Sequence, residues 1–301
     1  MLKKIRQFLS VFLLLLGVSY ASFYIYNHRA LFKPLGHTNI YTLISVYVLN
    51  IVMFFVLVLV LIATLVLCGL KINIIENIKL NAHSMIVNFF IPGQGGPAYR
   101  GAYLYKIHNL KVKKYILATL IYYGIYALIS FLFLFMFNLT IWQTLLIALF
   151  ILLISYLVIK RFTKTSHLKT RDLTINFKTI GLLFIATLIQ LIIQAVIYGV
   201  ELHTINSKIH LTQVITYTGA ANLALFVSLT PAAIGIRESF LIFSKKLHHI
   251  STANIISANI IDRSVFIVFL LTLAGSISIY HLYVRLSKNR ELESNNKLEV
   301  V

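Results

Sequence analysis

Between Lys114 and Lys160 the chain runs from Tyr115 to Ile159, 45 residues, without a charged side chain. As one helix that stretch would be about 67 Å long, whereas the hydrocarbon of a bilayer is about 30 Å thick. No single crossing can use it, so it must double back as two membrane helices. Asn138-Leu139-Thr140 is the polar interruption where the turn belongs, and Trp142 beside it suits the headgroup layer. Other uncharged runs tell the same story. Leu43–Leu70 has 28 residues and Thr179–Val200 has 22, where roughly 20 suffice to cross. Ser251–Val284 is a further apolar run, with Asp262-Arg263 in its first half. Phe8–Tyr26 is uncharged over 19 residues and follows Lys3, Lys4 and Arg6. That start could serve as a signal peptide cleaved after Ser19-Tyr20-Ala21. The apolar run continues to Tyr26 and more spans follow, so a retained first helix is expected.

Composition narrows the partners. The chain is 59% hydrophobic and 12% charged, with 27 Lys and Arg against 8 acids and a formal charge of +19. In a soluble protein that excess would suggest nucleic acid. Here the basic residues fall in gaps between apolar runs, where they set orientation and meet anionic lipid headgroups, so no nucleic-acid partner is expected. The single cysteine, Cys68, excludes an intramolecular disulfide, a CxxC pair and a cysteine-based zinc site. No cofactor and no metal are implied.

Two segments break the apolar pattern. Asn88 to Lys106 reads NFFIPGQGGPAYRGAYLYK, and Leu229 to Phe243 reads LTPAAIGIRESFLIF. Proline removes a backbone donor and glycine weakens a helix, so each run should break at Pro92-Gly93 and at Pro231 to Gly235. Broken backbone at membrane depth survives only where protein or a water-filled cavity surrounds it, which makes both segments re-entrant helical hairpins. The expected fold is therefore an all-α polytopic membrane protein with about six full transmembrane helices and two re-entrant broken hairpins. With both termini cytoplasmic, 19 of the 27 Lys and Arg fall on inner segments, as the positive-inside rule asks. Residues 1–301 form one integral membrane domain. Its two repeats span about 8–137 and about 141–284, the second inverted relative to the first, and 285–301 form a short polar cytoplasmic tail. Inverted repeats whose broken helices meet near the midplane are a transporter architecture.

A charge at the bilayer centre costs about 2.5–3.5 kcal/mol or more, so Arg100, Arg237, Glu238, Asp262 and Arg263 each need a partner or a cavity. In one reading Arg237 pairs with Glu238 or Asp262, and Asp262 with Arg263, simply to hold helices together. In the functional reading Arg100 and Arg237, with backbone N–H groups exposed at the glycine-rich breaks, form a cationic pocket for phosphate, and Glu238 and Asp262 orient the arginines or accept a cationic headgroup. Gly93-Gln94-Gly95-Gly96 lacks the spacing of a dinucleotide loop. His248-His249 are adjacent, cannot face one metal, and are expected at headgroup level.

At the two hairpins the sequence resembles the membrane region of lysylphosphatidylglycerol synthases, also found as stand-alone flippase-like proteins. The resemblance runs from the first helix to about Val284. It rests on Asn88, Pro92-Gly93, Gly96 and Arg100, then on Pro231, Gly235, Arg237-Glu238 and Asp262-Arg263. Pro97 stands where the family tends to have an acidic residue, and Ala232-Ala233 replace the usual glycines. The resemblance implies an inner-membrane flippase-like protein that translocates or handles an anionic phospholipid or a polyprenyl-linked headgroup. It implies those residues as the headgroup-binding set, with Arg263, Glu238 and Asp262 gating or orienting. The fused members also carry a soluble aminoacyltransferase domain. The polar segments here are too short for one, so no lysyl transfer is expected. Two alternatives stand beside this reading. One is a membrane partner subunit of a separate glycosyl- or aminoacyltransferase that modifies lipids, without transport of its own. The other is an embedded transferase using Glu238 or Asp262 as base.

Overall fold

The computed structural model describes residues 38–90, 95–166, 173, 176–227 and 236–298. The first apolar run Phe8–Tyr26, the breaks at Pro92-Gly93 and Pro231 to Gly235, and residues 299–301 lie outside the described residues. Among those described the regular structure is all helix, with no strand. The helices are α1 (Ile40–Leu67), α2 (Ile74–Phe90), α3 (Gly95–His108), α4 (Val112–Phe135), α5 (Ile141–Ser166), α6 (Phe177–Ile205), α7 (Leu211–Ala224), α8 (Ile236–Phe243), α9 (Lys245–His248) and α10 (Thr252–Leu298). Four of them are long and apolar enough to cross a membrane: α1, α4, α6 and α10 as far as Tyr280. Helix α5, with 26 residues, reaches about 39 Å. The turn between α4 and α5 occupies residues 136–140, where the uncharged run was expected to double back. Helix α10 has 47 residues, so residues 285–298 of the expected polar tail extend a transmembrane helix.

These runs become helices because a chain in hydrocarbon has no water to satisfy its backbone, and a helix satisfies it locally. The polar side chains they carry follow the same rule. Thr64, Thr119, Thr187 and Thr218 each return their hydroxyl to the carbonyl four residues back, at 2.7–2.9 Å. Helix ends use local caps. Thr140 and Gln143 exchange side-chain and backbone bonds at the start of α5, as Asn176 and Thr179 do at the start of α6. Gly69 closes α1 at φ 64°, with the Leu70 N–H on the Leu65 carbonyl at 3.0 Å. Rows such as Leu146, Leu149, Phe150 and Leu153 on α5 stay exposed; in a bilayer this is the face that lipid covers.

Both broken segments fold back. Helices α2 and α3 pack on each other in opposite directions. Near the break the Gly96 N–H donates to Asn88 Oδ1 at 3.2 Å, and at the other end Tyr103 Oη donates to Glu76 Oε1 at 2.8 Å, with His108 Nε2 at 2.7 Å from the same oxygen. Burial opposes the Glu76 charge, but the hydrogen bonds from His108 and Tyr103 win and hold its carboxyl below the usual carboxylate range. A Cβ on Gly96 would lie 2.7 Å from the Ser84 carbonyl oxygen, so only glycine lets the arms close this tightly. The second hairpin, α7 and α8, is closed at its base by Gln213 Nε2, which donates to the carbonyls of His248 and His249. His248 is buried within the protein. Its Nε2 sits 3.0 Å from the Leu241 carbonyl and its Nδ1 accepts the Ile250 N–H at 3.2 Å, which assigns the ring proton to Nε2.

The order long helix, hairpin, long helix thus occurs twice: α1, α2–α3, α4 and then α6, α7–α8, α10. Exchanging the two sets maps the packing onto itself. Helix α1 packs on α6; α4 packs on α7 as α10 packs on α2; α4 meets α6 as α10 meets α1. This reciprocity is what a two-fold relation between repeats produces.

Two outcomes check these contacts. A Cβ on Gly219 of α7 would overlap the backbone nitrogen of Leu134 and come 2.5 Å from the Ser130 carbonyl oxygen on α4. Gly219→Ala should therefore destabilise by about 1–3 kcal/mol, whereas Gly181→Ala and Gly275→Ala, whose new Cβ meets nothing within 4 Å, should leave the unfolding temperature in detergent unchanged or raise it. Burial also pushes the His248 ring below its ordinary pKa of 6.5, against a smaller opposing effect of its Leu241 bond. Above that value both states are neutral and nothing is gained. As pH falls below it the unfolded chain takes up a proton that the folded ring refuses, and stability is lost until the folded ring itself titrates. Thermal unfolding of the wild type should fall through this window more steeply than that of His248→Gln.

Candidate functional site

Helices α1 to α4 enclose a cavity of about 150 Å³. Its apolar wall comes from α1 and α2, with Leu57, Val60 and Met85. Its polar wall comes from Asn81, Ser84 and Asn88 on α2, Thr119 and Tyr122 on α4, and Arg100 on α3. The hairpin turn explains why they meet. Asn88, spent on the Gly96 N–H, draws the start of α3 against α2, and Arg100 follows one turn after Gly96. The Arg100 Nε is buried without a hydrogen bond, and among the described residues no acid pairs with it. Its electrostatic neighbours are Tyr122 and Tyr123. A single water needs about 10–15 Å³, so the space admits a group of phosphate size. An anion there would meet one guanidinium and several neutral donors. Pro97 lines the same cavity, where an acid would have faced Arg100.

The second half holds a different arrangement. Arg237 and Glu238, adjacent in the first turn of α8, pair with Asp262 and Arg263, adjacent on α10. Arg237 Nη1 donates to Asp262 Oδ2 at 2.6 Å, and Arg263 Nη2 lies 2.6 Å from Glu238 Oε1. The Arg237 guanidinium also stacks over the Tyr198 ring at 5.0 Å. Tyr198 meets Tyr217 edge-on at 5.4 Å, and the Tyr217 hydroxyl accepts from Asn259 Nδ2 at 3.2 Å.

Of the expected set, the structure gathers Asn88, Gly96 and Arg100 in one place and Arg237, Glu238, Asp262 and Arg263 in another. Pro92, Gly93, Pro231 and Gly235 lie outside the described residues. The two arginines were expected to share one pocket. Arg237 does not line the cavity at Arg100, because Asp262 and Tyr198 already hold it. What links the halves is α4, whose Tyr122 and Tyr126 rings lie 5.9 Å apart, with Tyr122 beside Arg100 and Tyr126 in the field of Arg237.

Sequence reasoning missed Glu201. It sits at the end of the uncharged run Thr179–Val200 and was read as a boundary, but its side chain is fully buried and neither carboxyl oxygen has a hydrogen bond. The signal was available: Tyr198 and Glu201 are three residues apart, on one face of α6. Asn222 on α7 is likewise buried with both amide atoms unpaired.

The two arginines should separate in stability measurements. Arg237→Met strands the Asp262 carboxylate and should cost about 3–5 kcal/mol, most of it restored in Arg237→Met/Asp262→Leu. Arg100→Met removes a charge that has no counter-ion and should leave the unfolding temperature unchanged or higher.

The family model described as the lysylphosphatidylglycerol synthase TM region matches residues 7–275. No curated protein and no solved structure matches. That match spans both hairpins, the cavity at Arg100 and the ion pairs on α8 and α10, and the chain belongs to the lysylphosphatidylglycerol synthase transmembrane-region family.

Proposed function

We propose that this protein is a flippase-like carrier in the cytoplasmic membrane. It would admit the headgroup of an anionic phospholipid or polyprenyl-linked lipid to the cavity at Arg100 while the acyl chains stay in the bilayer. The observation that carries this reading is Arg100 itself: a guanidinium at the wall of a cavity among membrane helices, with a buried Nε that has no partner. In hydrocarbon a charge so placed asks for an anion. A lipid phosphate supplies one, and the neutral donors of Asn81, Ser84, Thr119 and Tyr122 suit its remaining oxygens. Membership of a family of lipid-handling membrane regions supports lipid as the source of that phosphate.

Movement would come from rocking one repeat against the other. Arg237, Glu238, Asp262 and Arg263 would then hold α8 to α10 in one arrangement and exchange partners in the other. The charge count supports cytoplasmic termini, which would place the α2–α3 hairpin base, with Glu76 and His108, at the inner leaflet.

The test is the lipid that accompanies the purified protein. Wild type should retain an anionic or polyprenyl-linked species identifiable by mass spectrometry, and Arg100→Gln, equally well folded, should lose it by about tenfold or more. In vesicles carrying a labelled anionic lipid, wild type should expose the label at the far leaflet faster than the variant does. Equal lipid profiles and equal rates would overturn the carrier reading and favour a partner subunit for a separate lipid-modifying transferase.

A further inference from the structure

The buried core around Tyr217 contains donors and acceptors that do not meet. Glu201, on α6, is 0% exposed and both of its carboxyl oxygens lack a hydrogen bond. Arg237, on α8, is 8% exposed; it uses Nη1 on Asp262 and leaves Nε and Nη2 buried without an acceptor. The charges that act on Glu201 are Asp262 and Arg237. One guanidinium is thus offered to two carboxyls and grips only one. A second carboxylate, ionised, buried and without a single hydrogen bond, would be costly in this place, whereas a neutral carboxyl is far cheaper to keep there.

We propose that Glu201 is a proton-carrying site, and that Glu201 and Asp262 share one proton and one guanidinium: the carboxyl that holds Arg237 is ionised and the other keeps the proton. In the arrangement described, Asp262 holds Arg237 and Glu201 is the protonated member. In the alternative, Arg237 presents Nε and Nη2 to Glu201, whose O–H proton leaves as it ionises, and Asp262, stripped of its counter-ion, takes up one proton. Protons and charges balance in both arrangements, so neither creates an uncompensated ion in hydrocarbon. Glu201 is four residues from the end of α6 and Asp262 ten residues into α10, about 6 Å and about 15 Å along their helices. Gln213, at the start of α7, bonds the carbonyls of His248 and His249 just before α10, which puts those helix ends on one side of the protein, and the exchange releases or engages the α8–α10 contact made by Arg237 and Asp262.

The groups that bear on the pair come from every helix packed there. Tyr198 is on α6 itself, Tyr217 on α7, Tyr126 on α4, Arg237 on α8 and Asp262 on α10. Helix α1, which packs along α6, carries no charged residue. His248 meets Tyr217 at 5.5 Å, with both ring nitrogens engaged elsewhere. The inference stands on this cluster and does not depend on what the cavity at Arg100 binds.

Infrared difference spectroscopy of the purified full-length protein, titrated between about pH 5 and about pH 9, reads the proton directly. Wild type should show a protonated-carboxyl C=O band at neutral pH. Glu201→Gln, which mimics the neutral acid, should fold with the wild-type unfolding temperature and lack the band. Asp262→Asn should also fold, because Glu201 takes over Arg237, and it too should lack the band, since Glu201 is then ionised. Combining the two substitutions leaves Arg237 without either carboxylate and should lower the unfolding temperature by far more than the sum of the single effects. A band that survives Glu201→Gln overturns the assignment of the proton. A band that persists in Asp262→Asn, or an Asp262→Asn protein that cannot fold, overturns the sharing.

Discussion

Every backbone N–H and C=O that enters hydrocarbon has to find its partner within the protein, and this requirement organises the whole chain. It makes each long uncharged run a helix and turns the hydroxyls of Thr64, Thr187 and Thr218 inward to their own backbone. It also decides where the chain can stop being helical. The ends of α2 and α3 are tied by Asn88 to the Gly96 N–H, and the base of the second hairpin by Gln213 to two carbonyls. Among the described residues, both hairpins are thus closed by side chains that supply bonds to backbone groups at the helix ends.

The same low-polarity surroundings give the charged residues their different characters. Arg237 is held by a carboxylate at 2.6 Å and an aromatic face, so it works as a tie between helices. Arg100 faces a cavity and is left with an unsatisfied Nε, so it keeps an unmet donor at the cavity wall. A single pocket with both arginines would have concentrated like charge without counter-ions. The structure instead divides the labour between the repeats, with the tyrosines of α4 between them.

Reciprocal packing between the repeats gives this division a mechanical meaning. Because α4 leans on the hairpin of the second repeat and α10 on that of the first, neither hairpin can shift without moving a long helix of the opposite repeat. The close approach at Gly219 makes one of these contacts nearly rigid. The ion pairs of α8 and α10 join elements of the second repeat alone.

Charge-free run lengths by themselves determined the membrane class and the doubling back near Asn138, because helix rise and bilayer thickness leave few ways to place such runs. The order of the described elements was legible for the same reason. The residue types of the site were legible too: Arg100, Arg237, Glu238, Asp262 and Arg263 stand out as charges in apolar surroundings. Which charge meets which was decided only by tertiary structure. Adjacent residues such as Arg237 and Glu238 leave a helix about 100° apart, and their partners depend on where α10 passes. His248 and Glu201 show the limit most clearly. At the edges of apolar runs, position in the sequence does not distinguish an exposed side chain from a buried one. The packing of α7 and α8 over them made that choice.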